Sequence, residues 1–395
     1  MGTAHPDAAE GLTPVEAARS LVPLLAAEAA RSEERRALTG TTVTGLRRAG
    51  LLRLGTPARC GGRGAGARTA VDVCEELAKG CASASWIVGI AYGGALFASQ
   101  LPHPERAALW RDDPDAVVCG SANPSGTARR TDGGWTLSGR WPWISGIHHA
   151  PWALLGFVRP GAGGEPERAM AVVPTAGLTV EDVWRMAGMR GTGSDTAVAD
   201  DVYVPDSRTI SLAAMADGVY RRRHPGEPRI IFHLSINLPL VATAVGIATA
   251  SLEQVLEAAA RGRQTVSPLH RLVADDPAHQ LNAADAATLV DTARLHLRRA
   301  ADEVDAHARA GRRPALAERA RLRMDAAHAM RCARDAMGLL LDTAGAGSFA
   351  DGSVLQRAWR DIETASRHAA LSVQTSKELY GRALLGAPLP PNPAI

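Results

Sequence analysis

Two polar, glycine-bearing turns, one of them holding Ser145, and a polar helix face that ends at His368 carry residue types that could do chemistry, a hydroxyl and an imidazole that exchanges a proton near neutral pH. Ser145 lies in Trp141-Pro-Trp-Ile-Ser-Gly, and a second polar, glycine-bearing turn, Cys119-Gly-Ser-Ala-Asn-Pro-Ser-Gly, precedes it. Small residues admit a flat ligand close to the backbone and tryptophan walls it, although tight turns around a buried tryptophan satisfy the same pattern. His368 closes Gln356-Arg-Ala-Trp-Arg-Asp361-Ile-Glu-Thr-Ala-Ser-Arg-His368, where a helical period sets Asp361, Thr364 and His368 on one face. Such a face is either a site or a solvated stripe. The run Tyr220-Arg-Arg-Arg-His-Pro-Gly-Glu-Pro is either a surface loop or an anion clamp, in which Arg221, Arg222 and Arg223 would hold a phosphate- or carboxylate-bearing substrate. His148 and His149 are adjacent, so on a strand they point to opposite faces and cannot share a metal. The sequence has no phosphate-binding P-loop, dinucleotide fingerprint, nucleophile elbow or zinc-protease helix, so those enzyme classes lose their support.

Three regions must position these residues. Residues 13–111 repeat apolar side chains with a helical period, as in Leu21, Leu24 and Leu25 or Val43, Leu46 and Leu51, and Gly61, Gly62, Gly64 and Gly66 interrupt them with a loop. Residues 115–205 turn to Gly, Pro and Trp with short alternating segments, such as 152–158 and 198–204, which predict a compact antiparallel barrel or sandwich. After a connection at 217–229, helical patterns at 238–261, 281–310, 316–344 and 355–384 predict an up-down bundle. The expected class is α+β, mostly α: an N-terminal helical domain (1–114), a β-barrel domain (115–210) and a C-terminal four-helix bundle (211–395).

The 395 residues carry 44 basic and 41 acidic side chains, interspersed, for a net charge of +3, a balance that gives nucleic-acid binding no support. The longest apolar stretch, 238–252, is broken by Thr and Ser and falls short of the ~20 residues a spanning helix needs, so no membrane segment is expected. The first thirty residues lack the order of a secretory leader. Five cysteines without a C-x-x-C pair are expected as reduced thiols of a cytoplasmic protein.

The chain resembles the acyl-CoA dehydrogenase superfamily over nearly its full length. The stretches that carry the resemblance are Gly50-Leu-Leu-Arg-Leu-Gly-Thr-Pro57, Cys81-Ala-Ser-Ala-Ser-Trp86, Trp143-Ile-Ser-Gly146, Gly188-Met-Arg-Gly-Thr-Gly-Ser-Asp-Thr196, Asp200-Asp-Val-Tyr-Val-Pro205 and Leu355-Gln-Arg-Ala-Trp-Arg-Asp361, in that order and spacing. The fold it implies, helical domain, β-barrel and four-helix bundle, agrees with the pattern above. Dehydrogenases of the family commonly carry their base in a Tyr-Glu-Gly-Thr run after the Arg-Asp pair. Here the Tyr position falls on His368 and the Glu position on Ala369, which cannot take a proton. Glu253 and Glu257 keep open the alternative of a dehydrogenase with bound FAD.

Within the superfamily the chain is more similar to the oxygenase components of two-component flavin monooxygenases. That resemblance implies Ser145 near flavin N5, His368 at the oxygen-reacting edge, Gly120, Ser121, Ala122 and Asn123 on the pyrimidine side, and Trp143 walling the ring. It places Arg263 and Gln280 at the flavin tail of a neighbouring subunit, in a homotetramer. Trp86 and Tyr92 would face the substrate, and Trp86, Trp141 and Trp143 would exclude water. Reduced FMN or FADH2 would come from a separate NAD(P)H:flavin reductase and react with oxygen as a C4a-hydroperoxide. The product would be a hydroxylated or N-oxygenated small molecule of secondary metabolism. Phenol-hydroxylating members tend to carry a histidine seven or eight residues after the Trp86 position. Gly93 or Gly94 stands there, and aminosugar N-oxygenases fit that departure at least as well.

Overall fold

Thr13 accepts the backbone N–H of Glu16 while Glu16 reaches back to the N–H of Thr13, a capping box that starts helix α1 (Pro14–Arg35). The computed structural model describes residues 11–161, 163–216, 220 and 232–389. Helices α2 (Gly40–Arg48), α3 (Ala67–Gly80), α4 (Ala82–Ala98) and α5 (His103–Trp110) follow. α4 is apolar and buried nearly all round, and its glycines let neighbours approach closely. A Cβ on Gly94 would stand 1.7 Å from the carbonyl oxygen of Val118, so this turn of α4 lies directly on the first strand.

Seven strands form one sheet: β1 (Val118–Thr131), β2 (Gly134–Ile144), β3 (Trp152–Pro160), β4 (Pro166–Pro174), β5 (Thr179–Glu181), β6 (Asp195–Pro205) and β7 (Thr209–Ser211). Their order is β5-β6-β2-β1-β3-β4-β7. The expected all-antiparallel pairing is corrected in one place: β1 runs parallel to β3, with Val118 opposite Trp152, while its second half pairs antiparallel with β2. β1 is long enough for each half to serve a different neighbour, with a register shift between Ser121 and Gly126.

The short α6 (Leu212–Ala216) leads to the long helices α7 (Phe232–Ala260), α8 (Pro277–Arg309) and α9 (Leu316–Ala344). α7 is apolar and long enough to span a bilayer, but it packs on α3, α4, α8 and α9 with most of its residues inside protein. Asp305 of α8 accepts the N–H groups of Ala67 and Arg68 at 2.7 and 3.0 Å. It thereby caps α3, which begins after Gly66 and has no capping side chain of its own.

The last expected helix, 355–384, is two helices: α10 (Val354–Ala365) and α11 (Val373–Leu385), separated by a single 3-10 turn at Ala369–Leu371. Serine hydroxyls compete for the backbone on both sides of the break. Ser366 Oγ donates to Glu363 O, and Ser372 Oγ accepts the Thr375 N–H as an N-cap.

Candidate functional site

β2 carries an extra residue at its end. Trp141 pairs with Ala197 and Ile144 with Asp195, so three steps on β2 oppose two on β6. Trp143 absorbs the bulge with φ 64°, left-handed backbone that a bulky residue rarely adopts, and 60% of its surface is exposed. Trp141 is fully buried and donates its Nε1–H to Gly156 O at 2.7 Å, so it is a core residue rather than the site wall expected of it.

Just past the bulge, Ser145 keeps 8% of its surface and accepts the Nε1–H of Trp86, on α4, at 3.2 Å. Its Oγ lies 2.7 Å from Ser194 Oγ, which lies 2.7 Å from Thr192 Oγ1. Thr192 Oγ1 donates to Met189 O at 2.7 Å. The Gly146 N–H donates to Thr192 O at 2.8 Å, tying the turn to the same loop.

The loop rides on α10. A Cβ on Gly188 would stand 1.9 Å from Arg360 O, and the Met189 N–H donates to Asp361 Oδ1 at 2.5 Å. Asp361 is buried, and burial raises its pKa to about 6 against the lowering effect of the Met189 N–H. The helical face predicted for Asp361, Thr364 and His368 therefore ends before His368. Asp361 turns to the loop, and His368 sits beyond the helix end. Its imidazole meets Trp86 edge-on, with ring centroids 5.6 Å apart and planes at 69°. His368 retains an exposed face, yet desolvation by the surrounding protein lowers its pKa from the ordinary value.

Ser145, Trp86 and His368 are thus brought together, with Trp143 at the rim. Tyr92 is buried in the core, where burial first and then Asp305 of α8 and Cys74 of α3 push its phenol pKa up, and it makes no hydrogen bond with Ser145. Of the 120–123 stretch, Ala122 and Asn123 are exposed and Arg168 Nη2 donates to Ala122 O at 3.0 Å. Gly120 is required by close approach, since a Cβ there would lie 2.4 Å from Leu154 O. Arg263 donates to Ala344 O at the end of α9, and Gln280 Nε2 donates to Ala274 O at 2.8 Å. Both belong to the α7–α8 connection and its helix start. Arg221, Arg222 and Arg223 lie outside the described residues. Glu253 and Glu257 are exposed and face Lys79 and Arg261, so neither is offered to this site as a base.

His148 and His149 stand in a 3-10 turn rather than on a strand. His148 Nε2 is 2.7 Å from Asp195 Oδ2, and no cluster of three metal-ligating side chains occurs among the described residues. All five cysteines are free, and burial pushes Cys74 and Cys119 up to about 12 and Cys81 to about 11. A cleft lined by Lys79, Cys81, Arg190, Arg357 and Asp361 is separate: neither Ser145 nor His368 lines it.

Ser194 and Thr192 were not singled out from sequence. The signal was the run of hydroxyl residues between glycines in Gly191-Thr-Gly-Ser194, read there only as a stretch of family resemblance. The residue types fit a flat heteroaromatic ring with polar edges: the exposed indole of Trp143 for its face, the Ser145 hydroxyl, and the His368 imidazole against the Trp86 that also holds Ser145.

Residues 238–373 match the family "Acyl-CoA dehydrogenase, C-terminal domain" and residues 15–100 match "Acyl-CoA dehydrogenase, N-terminal domain". The chain is 30% identical over 384 residues to the flavin-dependent monooxygenase oxygenase subunit HsaA of Rhodococcus jostii (strain RHA1), covering 94% of this chain and 97% of that protein. It is likewise 30% identical over 379 residues to the oxygenase component of an FADH2-dependent resorcinol hydroxylase from Rhizobium sp. (strain MTP-10005), covering 92% and 91%. Among solved structures, XiaF from Streptomyces sp. in complex with FADH2 and glycerol superposes with a TM-score of 0.89, at 33% identity, over 96% of both chains.

Proposed function

The chain belongs to the acyl-CoA dehydrogenase superfamily as an oxygenase component of a two-component flavin-dependent monooxygenase, and from that premise we propose that Ser145, Trp86, Trp143 and His368 form its flavin and oxygen-transfer site. The reduced flavin, FMN or FADH2, comes from a separate NAD(P)H:flavin reductase. One oxygen atom of O2 goes to carbon or nitrogen of a small organic substrate and the other leaves as water. The supporting observation is the convergence of Ser145, Trp86 and His368 from β2, α4 and the α10–α11 break.

When bound, the reduced flavin supplies the two electrons that activate O2. Trp143 would cover the flavin ring from the rim, and Ser145, held by Trp86, would meet its N5 side. Desolvation holds the His368 pKa below its ordinary value, which favours the neutral imidazole, so a ring nitrogen could take or return a proton during oxygen transfer. Trp86 and the buried side of α4 exclude water, which limits loss of hydrogen peroxide. The resemblance puts a phenolate-holding histidine at Gly93 or Gly94; a Cβ on Gly94 would stand 1.7 Å from Val118 O and one on Gly93 3.0 Å from Ile236 Cγ2, and neither position carries a histidine here, so a phenolate anchored in that way is not the proposed substrate.

The homotetramer of this reading is supported by the α7–α8 connection. Val266, Leu269 and Leu281 expose their apolar side chains beside Arg263 and Gln280, a surface suited to a second copy of the chain. A homotetramer in which Arg263 and Gln280 reach a neighbour's flavin should sediment near four times 41.4 kDa.

Anaerobic titration with reduced FMN and FAD, followed by admission of oxygen, tests the reading. The protein should bind reduced flavin and consume O2. A tightly held flavin that acyl-CoA esters bleach without oxygen would restore a dehydrogenase. His368→Ala should keep flavin binding but form less product per NAD(P)H, with the missing oxygen recovered as hydrogen peroxide. Coupling equal to the parent's would remove His368 from the site.

A further inference from the structure

We propose that Thr192 and Ser194 lock the hydrogen-bond polarity of Ser145 so that it can only accept, and the site therefore selects flavin whose N5 carries a hydrogen. This rests on the reading of Ser145 as the N5 partner.

Three contacts of 2.7 Å link Met189 O, Thr192 Oγ1, Ser194 Oγ and Ser145 Oγ in series. Three hydroxyl protons are available for them, one per side chain. A carbonyl oxygen cannot donate, so the Thr192 proton goes to Met189 O. The contact between Thr192 and Ser194 then holds a proton only if Ser194 donates. With the Ser194 proton spent, the last contact holds one only if Ser145 donates to Ser194. Any other assignment sets two oxygen lone pairs against each other at 2.7 Å in a buried place, and all three serine and threonine side chains are at least nine-tenths buried.

Ser145 has thus given its one proton away. Of its two lone pairs, one receives the Trp86 Nε1–H at 3.2 Å. What it can offer a ligand is the other lone pair. N5 of reduced flavin carries a hydrogen and can donate to it, whereas N5 of oxidised flavin is itself a bare lone pair and meets a repulsive partner. The selectivity resides in residues 47 to 49 positions away from Ser145 that need not touch the flavin.

Asp361 supports the lock from the other end. Its carboxylate fixes the Met189 N–H, which sets the peptide that follows and aims Met189 O at Thr192. Asp361 is a positioning residue in this scheme, four links removed from Ser145 through Met189, Thr192 and Ser194.

The test is equilibrium binding of oxidised and of photoreduced FMN and FAD, titrated anaerobically into the parent, Ser194→Ala and Thr192→Val. The parent should prefer reduced flavin. In Ser194→Ala the Ser145 proton is released, and a water entering the space can hydrogen-bond either way. In Thr192→Val the Ser194 proton is released, while Met189 O keeps Trp184 Nε1 and the Thr192 N–H as donors. Both variants should bind oxidised flavin about three- to tenfold more tightly than the parent, the worth of one net hydrogen bond, and so narrow the redox preference. A tightening on removal of a hydroxyl is the sign a loosened loop would not give. If both variants weaken the two redox states alike, or leave their ratio unchanged, the chain is structural and the proposal fails while the flavin site stands. If the parent binds neither redox state, the reading of Ser145 as a flavin residue fails, and this proposal with it.

Discussion

Trp141 and Trp143 stand two residues apart on β2, where strand alternation would set them on one face, yet the molecule treats them oppositely. Trp141 is fully buried with its Nε1–H satisfied, and Trp143 is mostly exposed on left-handed backbone. One extra residue in the strand makes the difference. Before the bulge, the inward side chains of β2, Trp135, Leu137 and Trp141, are core and are fixed by packing. At the bulge the ring of Trp143 turns out of the core on strained backbone, which is where the proposed site has its rim. The same division recurs in polarity. The hydroxyls of Ser145, Ser194 and Thr192 are buried and paired, whereas Val266 and Leu269 are apolar and exposed in the α7–α8 connection.

The strongest way to break the comparison is at its buried member. Trp141→Ala should lower stability by about 3–5 kcal/mol, as large aromatic truncations in cores do, read as a lower denaturant midpoint with unchanged slope. Trp143→Ala should cost far less. Equal losses would mean that the bulge does not separate core from rim.

Asp361 gives the next effect. Its folded pKa of about 6 lies above the ordinary carboxyl value of 3.8, so between those values the folded state binds more protons than the unfolded one. Stability contributed by the protonated form is therefore present at pH 4 and declines as pH rises toward 6, by on the order of 3 kcal/mol in all. Asp361→Asn keeps an oxygen for the Met189 N–H but does not ionise. The stability of the parent relative to this variant should fall across that window and level off above it. A pH-independent difference would mean that the carboxyl titrates normally and the loop is not held by a buried group.

Much of the frame was legible in the sequence because it depends on local periodicity. The helix at 316–344 coincides with α9, and the succession of helical, strand and helical regions follows from apolar spacing alone. The break after Ala365 was not legible, because Ser366 and Ser372 interrupt a pattern whose apolar spacing continues across them. The bulge at Trp143 was hidden for a related reason: it depends on β6 pairing three residues of β2 with two of its own, which no local signal records. Ser145 and His368 were picked out by residue type and resemblance. Their partners Ser194 and Thr192 were not, since a hydroxyl acquires its role only when distant loops bring a second oxygen to 2.7 Å.

The smallest expected effect is the most discriminating, because stability and binding should move in opposite directions. A non-glycine residue in left-handed backbone costs about 1–3 kcal/mol, and glycine removes that cost while losing about 0.5–1 kcal/mol to its own unfolded-state freedom. Trp143 is 60% exposed, so little packing is forfeited with its ring. Trp143→Gly should therefore leave stability unchanged or raise it by about 1 kcal/mol, seen as a small upward shift in Tm. Flavin affinity should fall by about tenfold, the worth of one aromatic face against the ring. Trp143→Phe separates the two terms: it keeps a ring and most of the affinity, but it also keeps the strain and should show no gain in Tm. If Trp143→Gly destabilises the protein as Trp141→Ala does, the indole is core after all. If it binds flavin undiminished, the strained rim of β2 serves something other than the cofactor.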